Sequence, residues 1–365
     1  MSHEYWMQRA LTLAEQGRGR VNPNPMVGAV IVQNGNIIGE GYHSSYGSAH
    51  AERAALEACT QDPRGATMYV TLEPCCHHGK TPPCTESILA SGIQTVVIGS
   101  HDPNPKVSGG GTLALKQGGL TVLPDVLRSE CDKLNQIFFH YIQSRTPYTT
   151  LKYAMTADGK IATHTGASRW ITGEVARTHV HEMRNTHAAI MIGSGTALAD
   201  NPLLTCRTPN GQNPVRIVCD SKLSTPLDHN LITTAKNVPT ILATANRSAA
   251  DQAPYLDAGC QILDLPALDG RVDLSKLMQT LHTAQIDSVL VEGGAELNFS
   301  LLQAGLVQNL KLYLAPKLFG GSTAKGPIGG HGVSLPDAAY KLSPPAITHL
   351  GEDLLLEYDV QGGNS

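Results

Sequence analysis

A chain of 365 residues with 41% hydrophobic and 16% charged side chains is long enough for about two domains and too apolar for disorder. Its 27 basic and 31 acidic residues are near balance in both halves and give a net charge of −4, which excludes a broad nucleic-acid or acidic-membrane binder, and 5% aromatic residues exclude a stacking platform for single strands. The start, Met1-Ser2-His3-Glu4-Tyr5-Trp6, has no basic region or apolar core, no apolar run reaches the ~18 residues of a transmembrane helix, and three of the 8 cysteines cluster at 75, 76 and 84, so one metal site in a cytoplasmic chain fits better than a disulfide framework.

In chain order, Glu4 to Gly17 reads as an amphipathic helix with Trp6, Ala10, Leu13 and Ala14 on one face. Val27 to Val32 and Ile37 to Gly41 read as a hairpin about the turn signal Asn34-Gly35-Asn36. Ser48 is suited to cap a helix from about Ala49 to Cys59, and Thr67 to Leu72 is a β-type run. Thr81 is suited to cap a helix opening on Pro82-Pro83, where missing amides cost nothing, and ending at Gly92. Thr95 to Ile98 and Leu120 to Leu123 are further strands, and the alternation predicts an α/β layered sheet. The boundary falls within His140 to Thr150, where Ser144-Arg145-Thr146-Pro147 interrupts both periodicities, giving domains 1–146 and 147–365. The alternation then restarts, with a strand at Thr150 to Met155, a helix at Thr172 to Thr186, and strands at Ala188 to Gly193, Val215 to Asp220, Pro239 to Thr244, Ser288 to Glu292 and Leu310 to Ala315. No repeat of fixed period is present, and the strand order is not readable.

The strongest chemical signal is His50-Ala51-Glu52 followed by Pro74-Cys75 and Cys84. One imidazole and two thiolates balance zinc and leave a fourth position for water, the catalytic arrangement, whereas four protein ligands make a closed structural site. Zinc so held lowers the pKa of water toward about 7. Both His50 and Glu52 fall in the first turn after Ser48 and can lean over the open helix end, while Cys84 lies just inside another helix start that favours a thiolate. Glu52, beside the metal and not on it, is placed to move a proton to a leaving amine. This is the zinc nucleobase deaminase pattern, except that the second cysteine comes after an insert, Cys76 to Pro83, in which Cys76, His77 and His78 are competing ligands. In the second half, Gly193-Ser194-Gly195-Thr196 and Glu292-Gly293-Gly294-Ala295 are glycine-bearing turns between strand and helix, where backbone can approach a phosphate; they are not a Gly-x-Gly-x-x-Gly fingerprint.

Together these motifs resemble a known family. Asn22-Pro23-Asn24-Pro25-Met26-Val27-Gly28, His50-Ala51-Glu52, the run Leu72 to Cys84, and Asp102-Pro103-Asn104-Pro105 look like the bifunctional riboflavin-biosynthesis deaminase/reductases. The runs Leu151 to Ala162, Ser168-Arg169-Trp170-Ile171-Thr172, Gly195 to Thr205 and Val291-Glu292-Gly293-Gly294 extend the resemblance over nearly the whole chain. Members often have Ser where Cys76 stands; the departure adds a spare thiol without removing a ligand. The resemblance implies a cytidine-deaminase-like three-layer α/β domain followed by a dihydrofolate-reductase-like domain.

It further implies that His50, Cys75 and Cys84 bind zinc, that Glu52 is the proton donor, and that Asn24, His43, Lys80, Thr81 and Asn104 line the deaminase pocket. For NADPH it implies Ala154, Trp170, Thr196, Asp200, Ser221 and the stretch Gly294, Ala295, Glu296, Leu297, Asn298, Phe299 and Ser300. For the reductase substrate it implies Lys152, Ser168, Arg184, Leu204, Arg207 and Glu292. Arg184 and Arg207 are suited to a bidentate phosphate clamp, Glu292 to sugar hydroxyls, and Trp170 to stacking on the cofactor. No general acid for the reductase step is identifiable. The reading is hydrolytic deamination of 2,5-diamino-6-ribosylamino-4(3H)-pyrimidinone 5′-phosphate, then NADPH-dependent reduction of ribosyl to ribityl, by a homo-oligomer whose partner molecule is that phosphorylated pyrimidine, with no nucleic acid and no membrane. Its rivals are a cytidine-, guanine- or tRNA-type deaminase with an unrelated second domain, and a zinc-stabilised binding module without turnover.

Overall fold

The computed structural model describes residues 1–78, 82–105 and 107–361. Two compact units divide between Arg145 and Thr146.

The first unit is one five-stranded sheet between two helical layers. Its strands are β1 (Gly28–Gln33), β2 (Asn36–Tyr42), β3 (Thr67–Leu72), β4 (Thr95–Ser100) and β5 (Thr121–Leu123), in the order β2-β1-β3-β4-β5. β1 runs antiparallel to β2 and β3, whereas β3, β4 and β5 are parallel. The helices are α1 (His3–Ala14), α2 (Ala51–Glu57), α3 (Cys84–Ala90), α4 (Gly110–Gln117), α5 (Arg128–Leu134) and α6 (Gln136–Ser144). Successive strand residues face opposite sides, so Val96 and Ile98 join the core under α2, α3 and α4, while Val97 joins the one under α1. Glycine sets how closely the helices approach. A Cβ on Gly41 of β2 would lie 2.3 Å from Ala55 N and 2.6 Å from Ala51 O, so α2 can sit against β2 only without one. That contact fixes the helix start carrying His50 and Glu52.

The second unit is built on a nine-stranded sheet. In chain order its elements are β6 (Tyr148–Thr156), α7 (Glu174–Thr186), β7 (Ala189–Gly193), α8 (Ser194–Asp200), β8 (Val215–Cys219), α9 (Asn230–Thr233), β9 (Thr240–Thr244), α10 (Ala249–Asp257) and β10 (Gln261–Asp264). A short hairpin, β11 (Ala267–Leu268) and β12 (Arg271–Val272), precedes α11 (Leu274–Thr283), β13 (Ser288–Val291), α12 (Ala295–Gln303), β14 (Asn309–Ala315), β15 (Ala346–Leu350) and β16 (Asp353–Asp359). The sheet order is β10-β9-β8-β7-β13-β6-β14-β16-β15, parallel from β10 to β14 and antiparallel at β16 and β15. The central strands are continuously buried, as a parallel sheet covered on both faces requires. Among the described residues no helix is long and apolar enough to cross a membrane.

Local expectations shift in several places. Ser48 does not cap α2: its hydroxyl bonds Ser45, accepting from the Ser45 N–H and donating to the Ser45 carbonyl, and His50 is the N-cap residue. α3 starts at Cys84 with Pro83 as N-cap; Thr81 lies outside the described residues. His140 to Ser144 are helical, and the chain leaves α6 through Arg145 in the left-handed region at φ 58°. The sequence patterns pass over β10, the β11–β12 hairpin, and the antiparallel pair β15–β16.

Candidate functional site

Every group of the first site lies at one end of the first sheet. The carboxyl end of β3 delivers Glu73-Pro74-Cys75, and that of β4 delivers Asp102 and Asn104. Because β1 is antiparallel to β3, its entry loop with Asn24 reaches the same end, as does His43 just past β2. Asn135, 1% exposed, fixes that loop: its amide donates to Met26 O (2.9 Å) and its Oδ1 accepts from Met26 N (2.8 Å). Glu73 is similarly engaged, accepting from the amides of Gly109 (3.1 Å) and Thr112 (2.8 Å).

His50, Cys75 and Cys84 converge, with ligand atoms all within 4.8 Å of one another. His50 Nδ1 lies 3.6 Å from Cys75 Sγ and 3.3 Å from Cys84 Sγ. The Cys84 amide donates to Cys75 Sγ (3.3 Å), and Thr85 N to Cys75 O (3.2 Å), so the α3 start is tied to the turn after β3. Hydrogen bonding from the Cys84 thiol outweighs burial and pulls Cys75 down to about 4, while Cys84 is pushed up by the same shared proton and by burial. A partly formed thiolate pair beside an imidazole fits zinc: two sulfurs and one nitrogen are borderline-soft donors, and three ligands leave one position open. The competing ligands stand outside this set. His78 pairs with Glu86 at 3.1 Å on the surface, Cys76 Sγ faces Val107 O at 4.0 Å, and His77 only lines the cavity beside it.

Glu52 is 4% exposed, and burial pushes its carboxyl above the ordinary range. It lines a cavity of about 240 Å³ with Asn24, His43, His50, Cys75 and Asn104. His43 is buried, edge-on to His50 at 5.7 Å between ring centroids. Its Nδ1 faces Ala49 O at 3.1 Å; a carbonyl cannot donate, so Nδ1 carries the proton. Nε2 then accepts from Asn24 Nδ2 (3.1 Å), and the Asn24 carbonyl oxygen is the acceptor left for a ligand N–H. Desolvation lowers the His43 pKa, which keeps this neutral tautomer. Asp102 also lines the cavity; burial pushes it up to about 6, and its Oδ1 accepts from Asn104 N at 2.8 Å. Only its place in the Asp102-Pro103-Asn104-Pro105 motif signalled it. Lys80 and Thr81 lie outside the described residues.

In the second unit the named residues gather near the carboxyl ends of adjacent parallel strands, where open α/β sheets bind ligands. Thr196 is in the first turn of α8 after β7, Glu292 directly follows β13, and Gly294 is the N-cap of α12. Lys152 and Ala154 lie along β6, and Ser221 follows β8, its hydroxyl accepting from Val272 N at 2.9 Å. Arg184 has its partners within the unit. Its fork is engaged by Glu292, Nε to Oε1 at 2.7 Å and Nη2 to Oε2 at 3.0 Å, and Nη1 donates to Thr205 O at 3.0 Å. Lys152 Nζ stands 3.4 Å from Glu292 Oε2 and 5.7 Å from the Tyr313 ring centroid. Burial raises the Glu292 carboxyl, but Arg184 and Lys152 overcome it and hold the group at about 2. Arg207 is exposed next to Cys206 and makes no ion pair among the described residues.

Other expected contacts are rearranged as well. Leu297, Asn298 and Phe299 turn into the core, Asn298 Nδ2 donating to Pro327 O at 2.8 Å, and the Ser300 hydroxyl donates to Glu296 O. Glu296 accepts from Gly330 N (3.0 Å) and pairs with Arg271 (3.3 Å). What this stretch offers a cofactor is thus the backbone at the start of α12, not most of its side chains. Ser168 and Asp200 do meet, Oγ to Oδ1 at 3.5 Å, and Leu204 is buried with a positive φ of 52°. Trp170 is 62% exposed, not packed in the core.

Two family descriptions match the chain. Residues 1–100 match the cytidine and deoxycytidylate deaminase zinc-binding region, and residues 147–356 match the RibD C-terminal domain. The riboflavin biosynthesis protein RibD of Actinobacillus pleuropneumoniae is 53% identical over 97% of this chain and 94% of its own length. That of Escherichia coli is 40% identical over 98% and 99%. Among solved structures, the diaminohydroxyphosphoribosylaminopyrimidine deaminase/5-amino-6-(5-phosphoribosylamino)uracil reductase of Thermotoga maritima superposes with a TM-score of 0.87 at 40% identity, covering 98% of this chain and 99% of that one. The RibD of Acinetobacter baumannii gives 0.88 at 34% identity, with 98% and 99% covered.

Proposed function

Because the chain belongs to the RibD family of bifunctional riboflavin-biosynthesis deaminase/reductases, we propose that its two sites act in turn on one phosphorylated pyrimidine. The amino-terminal unit is the zinc-binding deaminase, with His50, Cys75 and Cys84 as the ligand set, and the carboxyl-terminal unit is the dihydrofolate-reductase-like reductase, which uses a nicotinamide cofactor. The substrate is 2,5-diamino-6-ribosylamino-4(3H)-pyrimidinone 5′-phosphate, deaminated and then reduced with NADPH to 5-amino-6-ribitylamino-uracil 5′-phosphate. The observation that carries the reading is the convergence of the three ligands beside a single cavity that His50 and Cys75 line with Glu52, Asn24 and His43.

Zinc held by the ligand set supplies activation of water near neutral pH. Glu52, in the first turn of α2, takes a proton from the attacking water and delivers it to the departing amine, so ammonia leaves as C–O forms and C–N breaks. His43 fixes the Asn24 amide, and Asn24 reads a substrate N–H. In the reductase, Glu292 stays ionised in the grip of Arg184 and binds ribose hydroxyls, while Lys152 stands beside it. NADPH supplies the hydride when bound. Trp170, Thr196, Asp200, Ser221 and the start of α12 would hold the cofactor. A homo-oligomer in the cytoplasm completes the proposal, supported by the family.

The test follows ammonia and NADPH together with the diaminopyrimidinone phosphate as substrate. Ammonia without NADPH, and stoichiometric cofactor oxidation once it is added, is the expected pair of results. Ammonia with no oxidation would remove the reductase assignment, and neither signal from zinc-loaded protein would point to a different base.

Arg207→Ala tests the phosphate anchor. A charge-assisted contact contributes about 1.5–3 kcal/mol, so the reductase KM for phosphorylated substrate should rise roughly tenfold or more. The dephosphorylated substrate should show no such change. Equal KM values for wild type and variant on the phosphorylated substrate would reject Arg207 as the anchor.

A further inference from the structure

The segment Ser168–Gly173 carries a large aromatic that burial does not hold: Trp170 is 62% exposed. Its backbone is held by cations instead. Lys317 Nζ donates to the carbonyls of Trp170 (3.1 Å) and Ile171 (2.6 Å). Arg177 Nη1, in α7, donates to Thr172 O at 2.7 Å, and the same guanidinium lies 4.7 Å from the Trp170 ring centroid. Arg169 Nη2 reaches Asp200 O at 2.9 Å, and Asp353 Oδ2 accepts from Gly173 N at 2.7 Å. Three consecutive carbonyls are thus taken by two cations, and one of those cations also covers a face of the indole.

We infer that Arg177, with Lys317, is a positioning residue for the reductase: it fixes the Trp170 indole so that the open face receives the planar ring of the nicotinamide cofactor. The physical reason is geometric. An exposed indole on an irregular segment keeps its rotamer freedom unless something holds it, and a tryptophan free to swing would have to be ordered on each cofactor binding. A guanidinium stacked on one face holds the ring by cation–π attraction and leaves the other face to solvent. Because Arg177 simultaneously anchors Thr172 O, ring and backbone are fixed as one piece. The inference rests on the reading that Trp170 contacts NADPH.

The experiment uses full-length, zinc-loaded protein carrying Arg177→Met, Arg177→Lys, Lys317→Met or Trp170→Ala, assayed for NADPH KM, reductase kcat and ammonia release. NADPH binding is also read by energy transfer from tryptophan in a Trp6→Phe background, where Trp170 is the remaining donor. Arg177→Met should raise the NADPH KM about fivefold to tenfold with kcat at saturation within about twofold, Lys317→Met should do the same, and Arg177→Lys should recover part of the loss. Energy transfer should weaken in parallel, and ammonia release should match wild type. If Trp170→Ala raises the KM while Arg177→Met and Lys317→Met do not, the positioning role is rejected and the cofactor contact stands. If Trp170→Ala itself leaves the NADPH KM unchanged, the cofactor contact falls and the inference with it. A fall in kcat for both substrates together with a lowered melting temperature would make Arg177 a merely structural residue and overturn the proposal.

Discussion

Glu52→Gln should reduce ammonia release by about 10²-fold to 10⁴-fold, keep zinc bound, and leave reduction of pre-deaminated substrate intact. The substitution keeps the size and shape of a side chain that is 4% exposed, so packing around the α2 start changes little. It removes the cavity carboxyl that lies within the same helix start as the ligand His50 and outside the converging ligand set, and with it the group proposed to take a proton from water and return it to the leaving amine. His50, two residues earlier at the N-cap, is a ligand; Glu52, inside the first turn, is not part of the converging set. Zinc stoichiometry should therefore match wild type in Glu52→Gln and in Glu52→Ala, whereas His50→Ala should lose metal. The reductase assay in the same protein is the internal control, because its residues come from the other unit. Loss of zinc or of the fold in both Glu52 variants would make the residue structural and withdraw its proton-transfer role. Slow ammonia release with reduction also lost would instead signal a chain damaged as a whole.

How much of this was legible in the sequence depends on whether the information is local. His50-Ala51-Glu52, Pro74-Cys75 and Cys84 are short patterns whose chemistry is set by residue type, and the structure brings their ligand atoms together. The buried parallel strands were legible because continuous runs such as Ala189–Gly193 need no partner to be recognised. Caps were less so. Ser48 is a good capping type, yet its hydroxyl is taken by Ser45 in the turn before the helix, a choice made by the path of the loop. Partner choice over long distance was not legible at all. Nothing near Asn135 announces that it holds Met26, and nothing near Arg184 announces that its fork closes on Glu292. The stretch Gly294–Ser300 was identified as a block by resemblance, but a helix turns side chains through about 100° per residue, so the block divides between an open helix end and the core. The antiparallel pair β15–β16 escaped because Ala346–Leu350 is an exposed edge without an apolar pattern.

The same limit applies to Arg216, whose replacement should have the largest effect on stability. In the sequence it is one polar residue inside the apolar run Val215–Cys219; in the structure it is 0% exposed on β8, with no carboxylate pairing it among the described residues. Its charge is answered by neutral acceptors: Nε donates to Thr240 Oγ1 (3.0 Å), Nη1 to Leu203 O (3.2 Å) and Thr234 Oγ1 (2.8 Å), and Nη2 to Leu231 O (3.2 Å) and Val238 O (2.9 Å). Burial lowers its pKa to about 10, so it remains a cation at neutral pH. These bonds join the strand to α9, to the start of β9 and to the loop that carries Leu204 and Arg207. Arg216→Met fills much of the volume but takes the guanidinium donors from the carbonyls of Leu203, Leu231 and Val238, the last two keeping only the shared Thr240 hydroxyl, at about 1–3 kcal/mol for each acceptor that water cannot reach. A net loss of about 3–5 kcal/mol is expected, a large fraction of the roughly 5–15 kcal/mol that holds a domain together. Urea unfolding should show the reductase unit melting at clearly lower denaturant, with reduction lost at temperatures where ammonia release persists. Arg216→Lys should fall between, since three donors on a flexible stem cannot reach acceptors spread around a planar fork. An unchanged unfolding midpoint in Arg216→Met would mean that the guanidinium is replaceable by apolar packing, as some buried charges are, and that the loop with Leu204 and Arg207 is held by its other contacts.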